Sequence, residues 1–140
     1  LNNIFLNVLM ERIRKKYICK NQIKKGTGGV RELLKLYKKG YSIALMIDQR
    51  VTEGIKSKFF DEDAFTTTIP AQFIKKFNCK VVPIYIERFN SINFNIKVEK
   101  PIEFSKDFST EKITRDLNIE LEKMILKNPG KWIWSHNRWK

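Results

Sequence analysis

Stretches whose apolar residues recur at helical spacing take turns along this chain with short apolar runs of strand length, and no other feature limits the possible folds as much. Residues 4–16 place Ile4, Phe5, Val8, Leu9 and Ile13 on one helical face and end on Arg12, Arg14, Lys15 and Lys16. Tyr17, Ile18 and Ile23 predict a short edge strand. Val30, Leu33, Leu34 and Tyr37 form an i, i+3, i+4, i+7 stripe, with Gly40 where a left-handed glycine would end the helix. Ser42 to Ile47 then predicts a strand buried on both faces, as in parallel sheets. Residues 48–63 read as polar and irregular apart from Phe59 and Phe60.

Thr66 to Thr68 offer N-caps for a helix reaching Phe77, with Pro70 in its first turn and Ile74 and Phe77 facing inward. Val81 to Ile86 predicts another buried strand. Ile92, Phe94, Ile96 and Val98 alternate with polar residues, the pattern of a half-exposed strand antiparallel to its neighbour. Ser109 or Thr110 caps a helix whose Ile113, Leu117, Leu121 and Ile125 recur every four residues until Pro129 and Gly130 stop it. This succession predicts an α/β fold, a mostly parallel sheet flanked by helices.

At 140 residues the chain fits one domain, and a chain of that size buries roughly two-thirds of the surface its unfolded form exposes. A content of 42% hydrophobic and 31% charged residues excludes a disordered chain. No repeat, low-complexity tract or long linker interrupts it. Apolar runs such as Ile43 to Ile47 fall far short of the roughly 20 residues a spanning helix needs. Leu1 is not a methionine and leads straight into a helical pattern, which reads as a fragment.

Cys19 and Cys79 stand far apart with no partner at metal-ligand or redox spacing, and read as reduced thiols. The single histidine, His136, excludes a multi-histidine metal site in this chain. The net charge of +13 fits a polyanionic partner: an anionic membrane surface, an acidic carrier protein or nucleic acid. AT-rich coding, which favours Lys, Asn and Ile, produces the same excess without selection for binding. No nucleic acid is expected, because the basic residues are scattered over every element and no recognition signature appears. A basic membrane- or nucleic-acid-binding domain without catalysis is the alternative.

The most informative local feature is Ile43-Ala44-Leu45-Met46-Ile47-Asp48-Gln49-Arg50, where an apolar run gives way to three polar residues. Ligands of open α/β sheets bind beyond the carboxyl ends of strands, which puts Asp48, Gln49 and Arg50 at the rim of a site. The plainer alternative is that Asp48 and Gln49 only cap a turn.

Four pieces in a fixed order surround that feature. The first runs from Gly29-Val30-Arg31-Glu32-Leu33-Leu34 to Lys39-Gly40. The second is Ile47-Asp48-Gln49 with Gly54-Ile55 and Phe59-Phe60. The third is Ala64-Phe65-Thr66-Thr67-Thr68-Ile69-Pro70-Ala71, leading to Val81-Val82-Pro83-Ile84. The fourth is Asn128 to Lys140, a P-x-x-W-x-W-x-H-x-R-W-K ending. With the opening Asn2-Asn3-Ile4-Phe5-Leu6-Asn7, these resemble the bacterial lipid A biosynthesis acyltransferases over essentially the whole chain. Those are the late lauroyl and myristoyl transferases of the lysophospholipid acyltransferase superfamily. Asp61 stands where many relatives have Gly after the two phenylalanines, and Ile69 where Gly often precedes Pro, so the shape of that loop is open.

The resemblance implies a glycerol-3-phosphate acyltransferase-like fold, of which residues 1–140 would be the C-terminal part, incomplete at the N-terminus. It also implies transfer of an acyl chain from acyl carrier protein to a hydroxyl of a lipid A precursor or related glycolipid. The setting would be the cytoplasmic face of the inner membrane. No cofactor or metal is implied, acyl-acyl carrier protein being the co-substrate. The family's base is a His-x4-Asp/Glu pair whose carboxylate fixes the imidazole tautomer. By the resemblance that pair and the membrane anchor precede Leu1, so no catalytic residue is expected in this chain. The expected substrate-binding residues are Asp48, Gln49 and Arg50, with Arg31 and the helix start at Thr66 and Thr67 as anion contacts. Lys24 and Lys25 are further candidates for a lipid phosphate. Arg31 as a solvated helix residue and Thr66 and Thr67 as plain caps are the simpler alternatives. Trp132, Trp134 and Trp139, interleaved with Lys131, Arg138 and Lys140, suit either a membrane headgroup region or the closing of the core.

Overall fold

A computed structural model describes residues 4–23 and 26–139, which fall into two compact units, Leu1–Ala44 and Leu45–Lys140. Leu1 to Asn3, Lys24, Lys25, Lys140 and the side chains of Ile4, Phe5 and Thr27 lie outside the described residues.

The first unit carries two helices, α1 (Ile4–Tyr17) and α2 (Thr27–Lys38). Arg14, Lys15 and Lys16 in the last turn of α1 oppose the negative end of its dipole. The α2 helix stops as its sequence predicts. Gly40 takes φ 86°, its N–H donates to the Tyr37 carbonyl at 2.9 Å, and the Tyr41 N–H reaches back to Leu36 at 3.2 Å. These two bonds satisfy carbonyls that a helix end leaves open, and a side chain at Gly40 would strain that conformation. The edge strand expected at Tyr17, Ile18 and Ile23 does not form. Tyr17 closes α1, and Ile18 is exposed in the turn beyond it.

The second unit is built on α4 (Thr110–Lys127), capped as expected by Ser109, whose Oγ accepts from the Lys112 N–H at 3.1 Å. One end of α4 buries Ile113 and Leu117 with Ala71 and Ile74 of α3 (Ile69–Phe77), and Ile47, Cys79, Val81, Phe104 and Phe108 pack around them. The other end buries Ile125 with Phe59 and Ala64, flanked by Phe60, Leu121, Trp132 and Trp139. Between these two cores α4 turns Thr114 and Asn118 inward, both buried.

The parallel α/β sheet expected from the sequence is not what forms. The strands are β1 (Ile55–Phe59), β2 (Glu62–Thr66), β3 (Ile84–Phe89) and β4 (Asn93–Val98), paired antiparallel as β1-β2 and β3-β4 in two separate sheets. Two residues join the first pair and three the second, and connections that short can only reverse the chain. Residues 42–47, expected as a central strand, take no regular structure, and Leu45 and Met46 are exposed. Only Ile47 of that run reaches the core. The strand expected at Val81 to Ile86 begins instead at Ile84, with Val81 in an isolated antiparallel bridge to Ile102. The antiparallel strand around Phe94 forms as β4, although all six of its residues are exposed.

The β1-β2 hairpin occupies a stretch that read as irregular. Its turn, Phe60-Asp61, has φ 50° and 61°, the two positive values a two-residue turn needs between right-twisted strands. Asp61 therefore sits in a conformation that favours glycine. At the other end of the hairpin a Cβ on Gly54 would meet the Thr66 carbonyl oxygen at 2.3 Å, so only glycine fits there.

Candidate functional site

Ile47 anchors the end of its apolar run in the first core, and Asp48 is the next residue out. The chain bends there, and Asp48 and Gln49 line a cleft of about 240 Å³ whose other walls are Lys131, Trp132, Ile133 and His136. The opposite walls come from the chain beyond α4. Pro129–Lys131 and Trp134–His136 are short 3₁₀ turns, and Asn137 follows with φ 45°. One hydrogen bond ties the two sides together: the Arg50 backbone N–H donates to His136 Nε2 at 3.2 Å. An accepting Nε2 places the ring hydrogen of a neutral His136 on Nδ1.

The C-terminal segment is fixed by an aromatic layer. Trp132 and Trp139 pack on Phe59 with ring centroids 5.7 and 5.6 Å away, and Trp134 stacks on Trp139 at 6.3 Å and 12°. The indole N–H groups of Trp134 and Trp139 donate to the carbonyls of Pro129 and Phe59 at 2.8 and 3.0 Å. The indoles of Trp132 and Trp139 thus close the core, while Trp134 remains partly exposed.

Arg138 lies within this layer with no exposed surface. Its guanidinium carbon stands 3.9 Å from the centre of the Phe59 ring. Its Nη2 donates to Asn118 Oδ1 at 2.9 Å and to Thr66 Oγ1 at 3.2 Å. Asn118 Nδ2 in turn donates to Ser57 Oγ, the Lys58 carbonyl and Thr66 Oγ1, joining α4 to both strands of the hairpin. Burial pushes the Arg138 guanidinium down to about 10, opposed by the negative charges of Asp48 and then Glu122. The sequence left the tryptophans and cations of this segment open between a membrane headgroup region and the core, and gave Arg138 no role of its own. The available signal was polar Thr114 and Asn118 beside the apolar stripe of α4, since a buried amide needs partners.

The residues singled out from the sequence are distributed unevenly. Asp48 and Gln49 share the cleft. Arg50 is exposed, and its backbone fixes His136. Arg31 is exposed on α2 in the other unit. The buried Thr66 hydroxyl donates to the Ala64 carbonyl at 3.2 Å and accepts from Asn118 and Arg138, so its hydrogen-bonding capacity is used inside the core. Thr67 Oγ1 accepts from the Ile69 N–H at 3.3 Å, a turn-stabilising bond at the start of α3. Lys24 and Lys25 are outside the described residues. Among the described residues no helix is long and apolar enough to cross a membrane.

In chemical terms the cleft offers a carboxylate, a carboxamide and an ammonium around an indole and an isoleucine. That set suits a polar, hydroxyl-bearing ligand with an anionic group and an apolar face. In comparison with known families, the one described as bacterial lipid A biosynthesis acyltransferase matches residues 1–140. No curated protein matches the chain.

Proposed function

The chain belongs to the bacterial lipid A biosynthesis acyltransferase family, and on that premise we propose that its cleft is the acceptor side of an acyl transfer from acyl carrier protein to a hydroxyl of a lipid A precursor. In that reaction the acceptor oxygen attacks the thioester carbonyl, the thiol of the carrier leaves, and a base takes the hydroxyl proton. The side chains of this chain have binding roles in that scheme. Asp48 and Gln49 accept hydrogen bonds from sugar hydroxyl or amide groups, Lys131 pairs with a phosphate, and Trp132 and Ile133 cover an apolar face of the ring. Arg50, exposed beside the cleft, adds a second cation at its mouth.

No general base is assigned to this chain. His136 is its single histidine, and its Nε2 accepts from the Arg50 N–H. The excess of 28 basic over 15 acidic side chains favours encounter with an acidic carrier and with an anionic membrane surface at the cytoplasmic face of the inner membrane.

The observation that carries this reading is the convergence of Asp48 and Gln49 with Lys131, Trp132 and His136 on one cleft, within a chain matched along its whole length by the family. Titrating the protein with a lipid A precursor while following tryptophan fluorescence tests it. Asp48→Asn and Gln49→Ala should each weaken binding about tenfold, roughly 1.4 kcal/mol, with the fold unchanged by circular dichroism. Affinity equal to that of the native protein in both variants would remove the cleft from the acceptor site.

A further inference from the structure

One face of the β3-β4 hairpin is apolar and uncovered, and the strand register fixes what it contains. The cross-strand pairs Ile84–Val98, Ile86–Ile96 and Arg88–Phe94 lie on it, and each of its apolar residues exposes more than half of its surface. Adjoining large apolar side chains left in water mark a site of association. The patch continues into the turn. Asn90 and Ser91 take φ 47° and 65°, and Ile92 beside them is 81% exposed at a position that ordinarily carries a polar residue.

Charge separates the possible occupants. No acidic residue lies on this face. The nearest carboxylates in sequence are engaged at the end of α4: Glu87 accepts from Asn128 Nδ2 at 2.8 Å and Glu99 from Lys127 Nζ at 2.7 Å. Arg88 is the one charged residue of the face, its guanidinium carbon 5.1 Å from the centre of the Phe94 ring. It stands at the turn end, which Ile92 extends, and Lys100 is exposed two residues beyond β4. A cation beside protruding apolar side chains matches the surface of an anionic bilayer. The apolar groups enter the acyl boundary, and the long basic side chain reaches back to the phosphates. A second copy matches less well, because it would bring another net charge of +13 towards the first.

We infer that the apolar face of β3-β4, turn first, is a docking surface for an anionic lipid bilayer. Ile92, Ile86, Phe94 and Ile96 supply the apolar contact, and Arg88 meets the lipid phosphates. The opposite face stays on the end of α4, with Lys127 over the Tyr85 ring, so the helix holds the hairpin while its free face meets lipid. The inference rests on the membrane encounter proposed above, to which it assigns a surface, and not on what the cleft binds.

Co-sedimentation of the full chain with vesicles of phosphatidylglycerol and phosphatidylethanolamine in equal parts tests it, since these vesicles hold no acceptor lipid. Ile92→Asn should weaken partitioning about tenfold, the loss of one large apolar contact. Arg88→Ala should weaken it about fivefold, a difference that shrinks in high salt. Both residues are exposed, and circular dichroism checks that the fold is unchanged; should I92N not fold, R88A decides alone. Native protein that stays in solution overturns the membrane encounter together with this surface. Native protein that sediments, with I92N and R88A sedimenting equally well, overturns the surface alone. A dimer in sedimentation velocity that Ile96→Thr dissociates would assign the face to a second copy and overturn the inference as well.

Discussion

Both hairpins of the unit Leu45–Lys140 are antiparallel pairs closed by residues with positive φ, and in each the side chains alternate between two faces. In β1-β2 one face, Ser57, Phe59, Ala64 and Thr66, is buried beneath the Asn118–Ile125 stretch of α4 and against Arg138. In β3-β4 the arrangement is reversed. The face carrying Tyr85 and Glu87 is tied to the end of α4, where Lys127 lies over the Tyr85 ring and bonds Glu99, and Asn128 donates to Glu87. The face carrying Ile84, Ile86, Phe94, Ile96 and Val98 is exposed, each residue at more than half of its surface. Alternation thus tells that a strand has two faces, but the helix beside it decides which one is buried. Over β1-β2, α4 presents Asn118, Leu121 and Ile125, whereas beside β3-β4 its last residue Lys127 and its C-cap Asn128 meet the strands.

The sharpest break in the comparison should come from Phe59. It is fully buried and touches Phe60, Trp132, Trp139 and Arg138, so Phe59→Ala should cost about 3–5 kcal/mol in urea unfolding. Asn118→Ala comes next, at about 2–3 kcal/mol, because it leaves buried Ser57, Thr66 and Arg138 short of partners. Asp61→Gly should change stability in the other direction. With φ at 61°, relief of the left-handed strain should raise the unfolding midpoint by about 0.5–1 kcal/mol equivalent, offset in part by the added freedom of the unfolded chain. Ile96→Thr, on the uncovered face of β4, should stay within about 0.5 kcal/mol of the native value. A loss at Ile96 comparable to that at Phe59 would mean that the two hairpins are covered alike.

The same comparison explains what the sequence made legible. Helices α2, α3 and α4 could be read because Gly40, Pro70 and Ser109 act locally, through backbone conformation and caps. Ser42 to Ile47 misled because an apolar run carries no record of its neighbours. A strand needs a partner for its backbone, and residues 42–47 have none among the described residues. The β1 strand was hidden because its inward positions are Ser57 and Phe59, and an inward serine breaks the apolar pattern. Asp48 and Gln49 were singled out by the change from apolar to polar residues after Ile47, although the strand end that argument relied on does not form. The burial of Arg138 was not legible, since its partners Asn118 and Thr66 lie 20 and 72 residues away.

The central claim, that an acceptor lipid is held between the 48–50 turn and the C-terminal segment, is met most directly by photocrosslinking. A lipid A precursor bearing a diazirine beside its acceptor hydroxyl would be bound to the protein, irradiated and mapped by mass spectrometry. Label on Asp48, Gln49 and the Lys131–His136 segment, suppressed by excess unlabelled precursor, is the predicted result. Competable label concentrated elsewhere, with none on either wall of the cleft, would contradict the account.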